Sequence, residues 1–356
     1  MKLEGREWRE FFIGGENGLF DISSSSSGID KNKLLFSANN EYVPYITRSD
    51  EANGMNLFID KAQDTKYHLD ESNVITIGLD TQTVFYQPHI FFTGQNIQVL
   101  RHKKLNKSIA EFLIPLIEVQ MQKFNWGGNG ATLGRLFKTK LMLPITQKGT
   151  PDWQFMEKYS KSIFEKKEEK YIYYIKGVLE TLAYKKIVPL EEKEWREFAI
   201  EDIMEVKPGK RLTKADMKQG NKPFIGSSDS NNGITAFVSN TNVSDDFNVL
   251  GVNYNGSVVE NFYHPYKAIF SDDVKRLSFK KTQGNEYLYL FVKNIILKQK
   301  SKYQYAYKFN EKRLKRQKIL LPINTKNEPD YAYMEQYIKN MKYKKIKQYL
   351  AFKGEG

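Results

Sequence analysis

The sequence contains no cysteine. Disulfides, thiolate zinc sites and cysteine nucleophiles are therefore excluded, and a reducing compartment is the expected setting. Histidine is scarce. His68, His89, His102 and His264 are the whole set of 4, and none stands at metal-ligand spacing from another, so no metal site is expected. No apolar run approaches the roughly 18 residues of a transmembrane helix. Met1-Lys2-Leu3-Glu4-Gly5 lacks the apolar core of a secretion signal, so a cytoplasmic protein is expected. No Gly-Lys-Ser or Gly-Lys-Thr follows the glycines of Gly127-Gly128-Asn129-Gly130, which argues against a nucleotide loop.

Positive charge is abundant: Lys and Arg number 55 against 42 Asp and Glu, for a formal net charge of +13. A basic chain without a membrane segment points to a polyanionic partner, nucleic acid first. Hydrophobic content of 40% with 14% aromatics is ample for buried cores, and 356 residues make room for two domains.

The chain repeats itself in order. Glu7-Trp8-Arg9-Glu10-Phe11 returns as Glu194-Trp195-Arg196-Glu197-Phe198. Tyr42-Val43-Pro44-Tyr45-Ile46, with Ser49-Asp50 and Asn53-Gly54 after it, returns as Asn221-Lys222-Pro223-Phe224-Ile225 with Ser228-Asp229 and Asn232-Gly233. Val84 to Pro88 matches Asn261 to Pro265, and Asn96 to Leu100 matches Asp273 to Leu277. Leu143-Pro144-Ile145 then Pro151-Asp152-Trp153 and Met156-Glu157-Lys158-Tyr159 return as Leu321-Pro322-Ile323, Pro329-Asp330-Tyr331 and Met334-Glu335-Gln336-Tyr337. This is a tandem duplication. Two copies are too few for a solenoid and suit a pseudo-twofold molecule.

Each copy opens with short strand-like runs such as Val74-Ile75-Thr76-Ile77 and Val249 to Val252, set between Gly, Asn, Asp and Pro. One helix is expected inside each, near Ile109–Gln122 and Glu286–Leu297. Each copy closes on a helical stripe. Met156, Tyr159, Ile163, Tyr171, Ile175 and Leu182 mark the first, and Met334, Tyr337 and Met341 the second. Pro151 suits a first helical position and Asp152 the first turn. A helix over 151–183 would span about 50 Å, and two such helices would pack as an antiparallel coiled coil. The expected fold is α+β: globular domains over 1–148 and 191–326, helical spacers over 149–190 and 327–356. The serine run Ser23–Ser27 reads as a flexible surface loop.

Val206-Lys207-Pro208-Gly209-Lys210-Arg211-Leu212-Thr213-Lys214, followed by Gly220 to Ile234, resembles the signature region of a target-recognition domain. Such domains form the specificity (S) subunits of type I restriction–modification systems and their BcgI-like type IIB relatives. The resemblance covers nearly the whole chain as two domain–helix copies. Type I subunits usually leave the domain through a Pro-Pro-Leu-type stretch with a following Glu-Gln; here the exits are Leu143-Pro144-Ile145-Thr146 and Leu321-Pro322-Ile323-Asn324, closer to the BcgI-like branch. Copy one lacks the Gly-Lys-Arg triplet and carries the serine run in that vicinity.

The resemblance implies a non-catalytic subunit whose two domains each read half of a bipartite double-stranded DNA target. The helices would then set the spacing and dock DNA methyltransferase subunits, alone or fused to a nuclease. S-adenosylmethionine and Mg²⁺ would belong to those partners, with no cofactor in this chain. Candidate DNA contacts in copy one are Arg48, Ser49, Asn53, Arg101, Lys103, Lys104 and Arg135. In copy two they are Lys210, Arg211, Lys214, Ser227, Ser228, Asn231, Asn232, Lys275, Arg276, Tyr305 and Arg313. Cations suit phosphates or, for Arg, a guanine edge; short polar side chains suit base edges or tight turns. Lys298 to Lys318 interleaves Tyr303, Tyr305 and Tyr307 with cations, which suits nucleic acid.

Two other readings share some of these features. A general RNA- or DNA-binding protein without modification partners has the same charge and aromatics. A nuclease reading rests on Pro151-Asp152 with Glu165-Lys166-Lys167, but those residues fall on one expected helix and copy two has Tyr343 where Glu165 stands. No Asn-Pro-Pro-Tyr-like tetrapeptide or glycine-rich strand–turn–helix is present for methyl transfer.

Overall fold

The computed structural model describes residues 2–36, 41–125, 128–303 and 308–354. Two compact units divide the chain, Met1–Tyr171 and Ile172–Gly356. The first contains β1 (Trp8–Phe12), β2 (Asp21–Ser24), β3 (Tyr42–Ile46), β4 (Met55–Asp60), β5 (Val74–Gly78), β6 (Val84–Gln87), β7 (Phe92–Thr93) and β8 (Ile97–Arg101), then α1 (Lys107–Met121), α2 (Leu133–Leu136), β9 (Lys140–Pro144) and the start of α3 (Trp153–Thr181). The second contains β10 (Trp195–Ala199), α4 (Ile200–Ile203), β11 (Met204–Pro208), β12 (Gln219–Ile225), β13 (Ile234–Val238), β14 (Val249–Asn253), β15 (Asn261–His264), β16 (Ile269–Phe270) and β17 (Val274–Phe279), then α5 (Glu286–Leu297), α6 (Glu311–Arg316), β18 (Lys318–Pro322) and α7 (Tyr331–Phe352). The division falls inside α3, at Tyr171.

The expected α+β class holds, and the two units share one topology. Each has a two-stranded ribbon (β1-β9, β10-β18), a four-stranded sheet (β2-β8-β5-β6, β11-β17-β14-β15) and a three-stranded sheet (β4-β3-β7, β13-β12-β16). Registers correspond: Ile75 faces Leu100 in one unit and Leu250 faces Leu277 in the other.

Period-two alternation explains why the central strands are apolar on both sides. Ile75, Ile77 and Leu100 join a core under α1 with Ile109 and Leu113, while Val74, Ile97 and Val99 join Ile46 and Phe91 beneath the smaller sheet. In the second unit Leu250, Val252 and Leu277 take the helix side, and Val249 and Val274 the other, with Ile225 and Phe270. The inner helices begin at asparagine caps. Asn106 Oδ1 accepts from Ile109 N at 3.0 Å and Asn285 Oδ1 from Leu288 N at 3.1 Å; such a cap contributes about 1 kcal/mol.

The spacer helices differ in detail from expectation. Pro151 and Pro329 bridge to Ile145 and Ile323 instead of opening the helices. Asp152 and Asp330 cap them, accepting from Phe155 N and Tyr333 N, each at 3.0 Å. At about 1.5 Å per residue, α3 with its 29 residues is about 44 Å long and α7 with 22 about 33 Å. Met156 and Met334 are fully buried, and with Tyr159 and Tyr337 they pack on their own unit's core. Ile163 is half-buried; Ile175 and Leu182 are buried. Tyr171 and Met341 are about half exposed, so the stripe is less continuous than its spacing suggests. In the second unit α7 is fastened to the chain before β10: Asn340 bonds both the N and O of Lys185, and Tyr333 Oη donates to Val188 O at 2.9 Å.

The serine run is not a loose loop. Ser23 and Ser24 lie in β2, opposite Val99 and Gln98. Ser25 and Ser27 hydroxyls meet Thr93 Oγ1 at 2.6 and 3.1 Å, and Ser26 N donates to the Asp70 carboxylate. The run occupies the place where copy two has Pro208–Arg211. Among the described residues, no helix is long and apolar enough to cross a membrane.

One buried titratable group distinguishes the units. His264 on β15 is fully buried, with Nδ1 3.2 Å from Tyr266 Oη. Its counterpart is Gln87, which donates to Thr76 Oγ1 at 3.0 Å. Gly251 stands where Thr76 does, and a Cβ there would lie 2.9 Å from His264 Nε2, so the imidazole needs the glycine. Burial, assisted by Lys293, pushes the imidazole down to about 4. Between its ordinary value of about 6.5 and that figure, the unfolded chain binds a proton that the folded one refuses. Stability therefore falls as pH drops through this window, by roughly 3 kcal/mol in all. His264→Gln is expected to lose this increment. Urea denaturation of both proteins at pH 7 and 4.5 checks it; equal losses on acidification would contradict the assignment.

Candidate nucleic-acid interface

In copy two β11 ends at Pro208, and the chain turns over the neighbouring strand. Gly209 N donates to Val274 O and Lys210 N to Phe270 O, at 3.1 and 2.8 Å. A Cβ on Gly209 would fall 1.9 Å from Ser271 O, so only glycine makes this approach. The turn leaves Lys210 and Arg211 exposed; the Arg211 side chain is 77% exposed, 3.7 Å from Asp272. Lys214 follows, exposed, in a short 3₁₀ turn.

The loops Thr47–Gly54 and Gly226–Gly233 are built alike. Asn53 and Asn232 both take left-handed backbone, with φ of 60° and 55°, a conformation asparagine tolerates well. Their amides tie back to β6 and its counterpart β15: Asn53 Nδ2 donates to Tyr86 O at 2.8 Å and Asn232 Nδ2 to Tyr263 O at 3.4 Å, the latter also reaching Tyr266 Oη at 2.8 Å. Ser49 and Ser228 hydroxyls accept from backbone N two residues on, each at 3.1 Å. These residues shape the loops. Asn231, in the left-handed region at φ 49°, is exposed.

At the base of each loop the structure gathers a polar triangle that the sequence did not reveal. In copy one Arg48 pairs with Asp80, and Asn96 Nδ2 donates to the same carboxylate at 3.2 Å. In copy two Ser227 donates to Asn255 O, and Asn255 Nδ2 donates to Asp273 Oδ1 at 3.0 Å. Positions 48, 80 and 96 correspond to 227, 255 and 273 through the paired strands. The framework is therefore the same and the chemistry differs. Of the six, Arg48 and Ser227 were candidates from the sequence; Asp80, Asn96, Asn255 and Asp273 come together through non-local pairing.

Several expected contacts have internal roles instead. Arg276 is almost wholly enclosed, its side chain 7% exposed; Nη1 meets Asp246 at 2.7 Å and Nη2 Pro208 O at 2.8 Å. Lys275, also buried, lies 3.6 Å from Glu311 and over the Tyr254 ring. Arg101 meets Asp70 at 3.0 Å and Glu71 at 2.7 Å. Burial holds the Asp70 carboxyl above the usual carboxylate range, opposed by Ser26 and Arg101. Asp70 and Asp246 occupy equivalent bridges, to Phe91 and Ala268. The arginines that reach them are not equivalent: by register Arg101 matches Ser278 and Arg276 matches Val99. Arg135 holds Gly130 O and Gly128 O, and Arg313 holds Lys308 O at 2.8 Å, so both guanidiniums fix the loop before a short helix. Lys103 and Lys104 are exposed. Tyr305 and Tyr307, like Trp126 and Gly127, lie outside the described residues.

The nuclease-like residues are not gathered. Asp152 caps α3 and pairs with Arg6 at 2.5 Å, while Glu165 lies about 19 Å further along the helix. Among the described residues no group of three or more His, Asp or Glu is placed to hold a metal ion.

These placements separate structural from surface cations. Arg276→Ala leaves Asp246 without its partner and is expected to destabilise the second unit on the order of 3 kcal/mol. Arg211→Ala is expected to leave the melting temperature unchanged. Thermal melts of both variants check this; a harmless Arg276→Ala would contradict it.

Comparison with known proteins follows the duplication. The sequence matches the type I restriction modification DNA specificity domain twice, over residues 6–172 and 192–350. It is 44% identical over 330 residues to the type II restriction enzyme specificity subunit S.BcgI of Heyndrickxia coagulans, covering 92% of this chain and 93% of that one. Among solved structures, the S subunit of a type I restriction–modification system from M. genitalium has the same fold, with a TM-score of 0.50 at 16% identity over 98% of this chain and 93% of that one. Two copies of one α+β unit, each matched over most of its length by the same domain model, make this chain a member of the type I restriction–modification DNA specificity-domain family.

Proposed function

We propose that this specificity subunit reads a bipartite duplex, one half-site per copy. The observation that carries the reading is the pair of loop-base triangles. Arg48, Asp80 and Asn96 in one copy, and Ser227, Asn255 and Asp273 in the other, sit at equivalent points on one framework. A retained scaffold with exchanged donors and acceptors is what two readers of different words require, because base edges differ in donor and acceptor pattern. Exposed Lys103, Lys104, Lys210, Arg211 and Lys214 supply the phosphate contacts, which set affinity without sequence preference.

On this reading α3 and α7 act as spacers and dock methyltransferase subunits. The chain itself is non-catalytic. S-adenosylmethionine and Mg²⁺ serve the partner subunits, and the complex works in the cytoplasm, where DNA is the substrate. Half-site centres about 34 Å apart would present both words on one face of the double helix.

Selection of bound sequences from random duplex DNA tests the proposal. The expected product is two short words at a fixed gap. Arg48→Ser is expected to relax one word only, by about 1–3 kcal/mol at the affected base pair. A flat profile would instead indicate a general nucleic-acid-binding protein.

A further inference from the structure

Each unit contains a cationic cleft at the same place in the repeat. In the first, a cleft of about 640 Å³ lies between the end of α1, the segment after α2 and β9, with Lys123, Arg135, Lys138 and Lys140 on its walls. In the second, a cleft of about 610 Å³ is lined by Asn310, Lys312, Arg313, Arg316 and Lys318. The register of β1 with β9 and of β10 with β18 makes Lys138 the counterpart of Arg316 and Lys140 that of Lys318. Arg135 and Arg313 are the matching pair that builds the walls, through their bonds to the preceding loop.

The charge in these clefts is poorly neutralised. Lys138, Lys312 and Arg316 have no carboxylate partner among the described residues. Lys140 and Lys318 pair with Glu10 and Glu197, at 2.9 and 3.1 Å. Those pairs are on the surface, where ion pairs hold weakly and exchange readily. No buried partner therefore accounts for these five cations on two equivalent hollows, Lys138 and Lys140 in the first and Lys312, Arg316 and Lys318 in the second.

We propose that each cleft is a binding site for the phosphodiester backbone of the target duplex. This rests on the specificity-subunit reading and adds to it where the duplex is gripped. A reader of two different words must vary where it meets bases and stay constant where it meets phosphates. The loop-base triangles vary between the copies; the Lys138/Arg316 and Lys140/Lys318 positions keep their charge. The second cleft is lined almost wholly by polar side chains, which suits a hydrated polyanion better than the apolar centre of a protein interface.

The test uses the full chain, a duplex carrying the selected target and a scrambled duplex, with binding followed by fluorescence anisotropy from 50 to 200 mM salt. The double variant Lys138→Ala, Arg316→Ala is expected to weaken both duplexes by the same factor. Its plot of log affinity against log salt should be shallower by about 2, near 0.9 for each lost phosphate contact. The charge-keeping variant Lys138→Arg, Arg316→Lys should bind with the parent slope, which separates loss of charge from misfolding. An unchanged slope in the alanine variant overturns the proposal, as does a loss confined to the target duplex. Intact DNA binding with loss of a co-purifying methyltransferase subunit also overturns it, and would assign the clefts to an acidic segment of that protein. If the parent chain binds neither duplex, it is the specificity reading itself that falls.

Discussion

A tryptophan laid on a helix phenylalanine, met edge-on by a tyrosine of the spacer helix, joins three elements in each copy. Trp8 stacks on Phe112 at 6.4 Å, and Phe112 meets Tyr159 at 5.7 Å. Trp195 stacks on Phe291 at 6.2 Å, and Phe291 meets Tyr337 at 5.9 Å. Each ring pair adds about 1 kcal/mol beyond area; burial of the rings, at about 25 cal/mol per Å² of apolar surface, is the larger effect. Its consequence is mechanical. The two-stranded ribbon, the inner helix and the first turns of the spacer helix become one body, so each domain is fixed to the helix that follows it.

That constraint gives the repeated Glu-Trp-Arg-Glu-Phe motif its meaning. Its tryptophan anchors the ribbon to the helix, while Glu10 and Glu197 face Lys140 and Lys318 across the strand pair. The Pro-Asp-aromatic motif completes the other end. The proline closes a bridge, the aspartate caps the spacer helix and the aromatic enters the core. These motifs persist because they build the body, and the loops above them are free to diverge.

The arginine-paired carboxylates show how far divergence extends without loss of the framework. Asp70 and Asp246 occupy one structural position and each is held by a guanidinium, but the arginine arrives from a different point along the equivalent strands β8 and β17. An arginine side chain is long enough to reach the same carboxylate from either place. What is retained is a charge partner for a carboxylate removed from water, whose absence would be costly, and not the residue that provides it.

The sequence determined the duplication, the α+β class, the inner helices and the helical spacers, because each rests on local signals: repeated peptides, apolar periodicity and turn residues. It marked Lys210 and Arg211 through the Pro-Gly turn. It could not tell exposed cations from enclosed ones, since Arg276 and Arg211 look alike until strand pairing brings Asp246 beside one and leaves the other in water. Nor could it reveal the triangles of Arg48, Asp80 and Asn96 or of Ser227, Asn255 and Asp273, or the clefts at Lys138 and Arg316. Those depend on contacts between residues far apart in the chain, and only the tertiary structure decides which distant side chains share a surface.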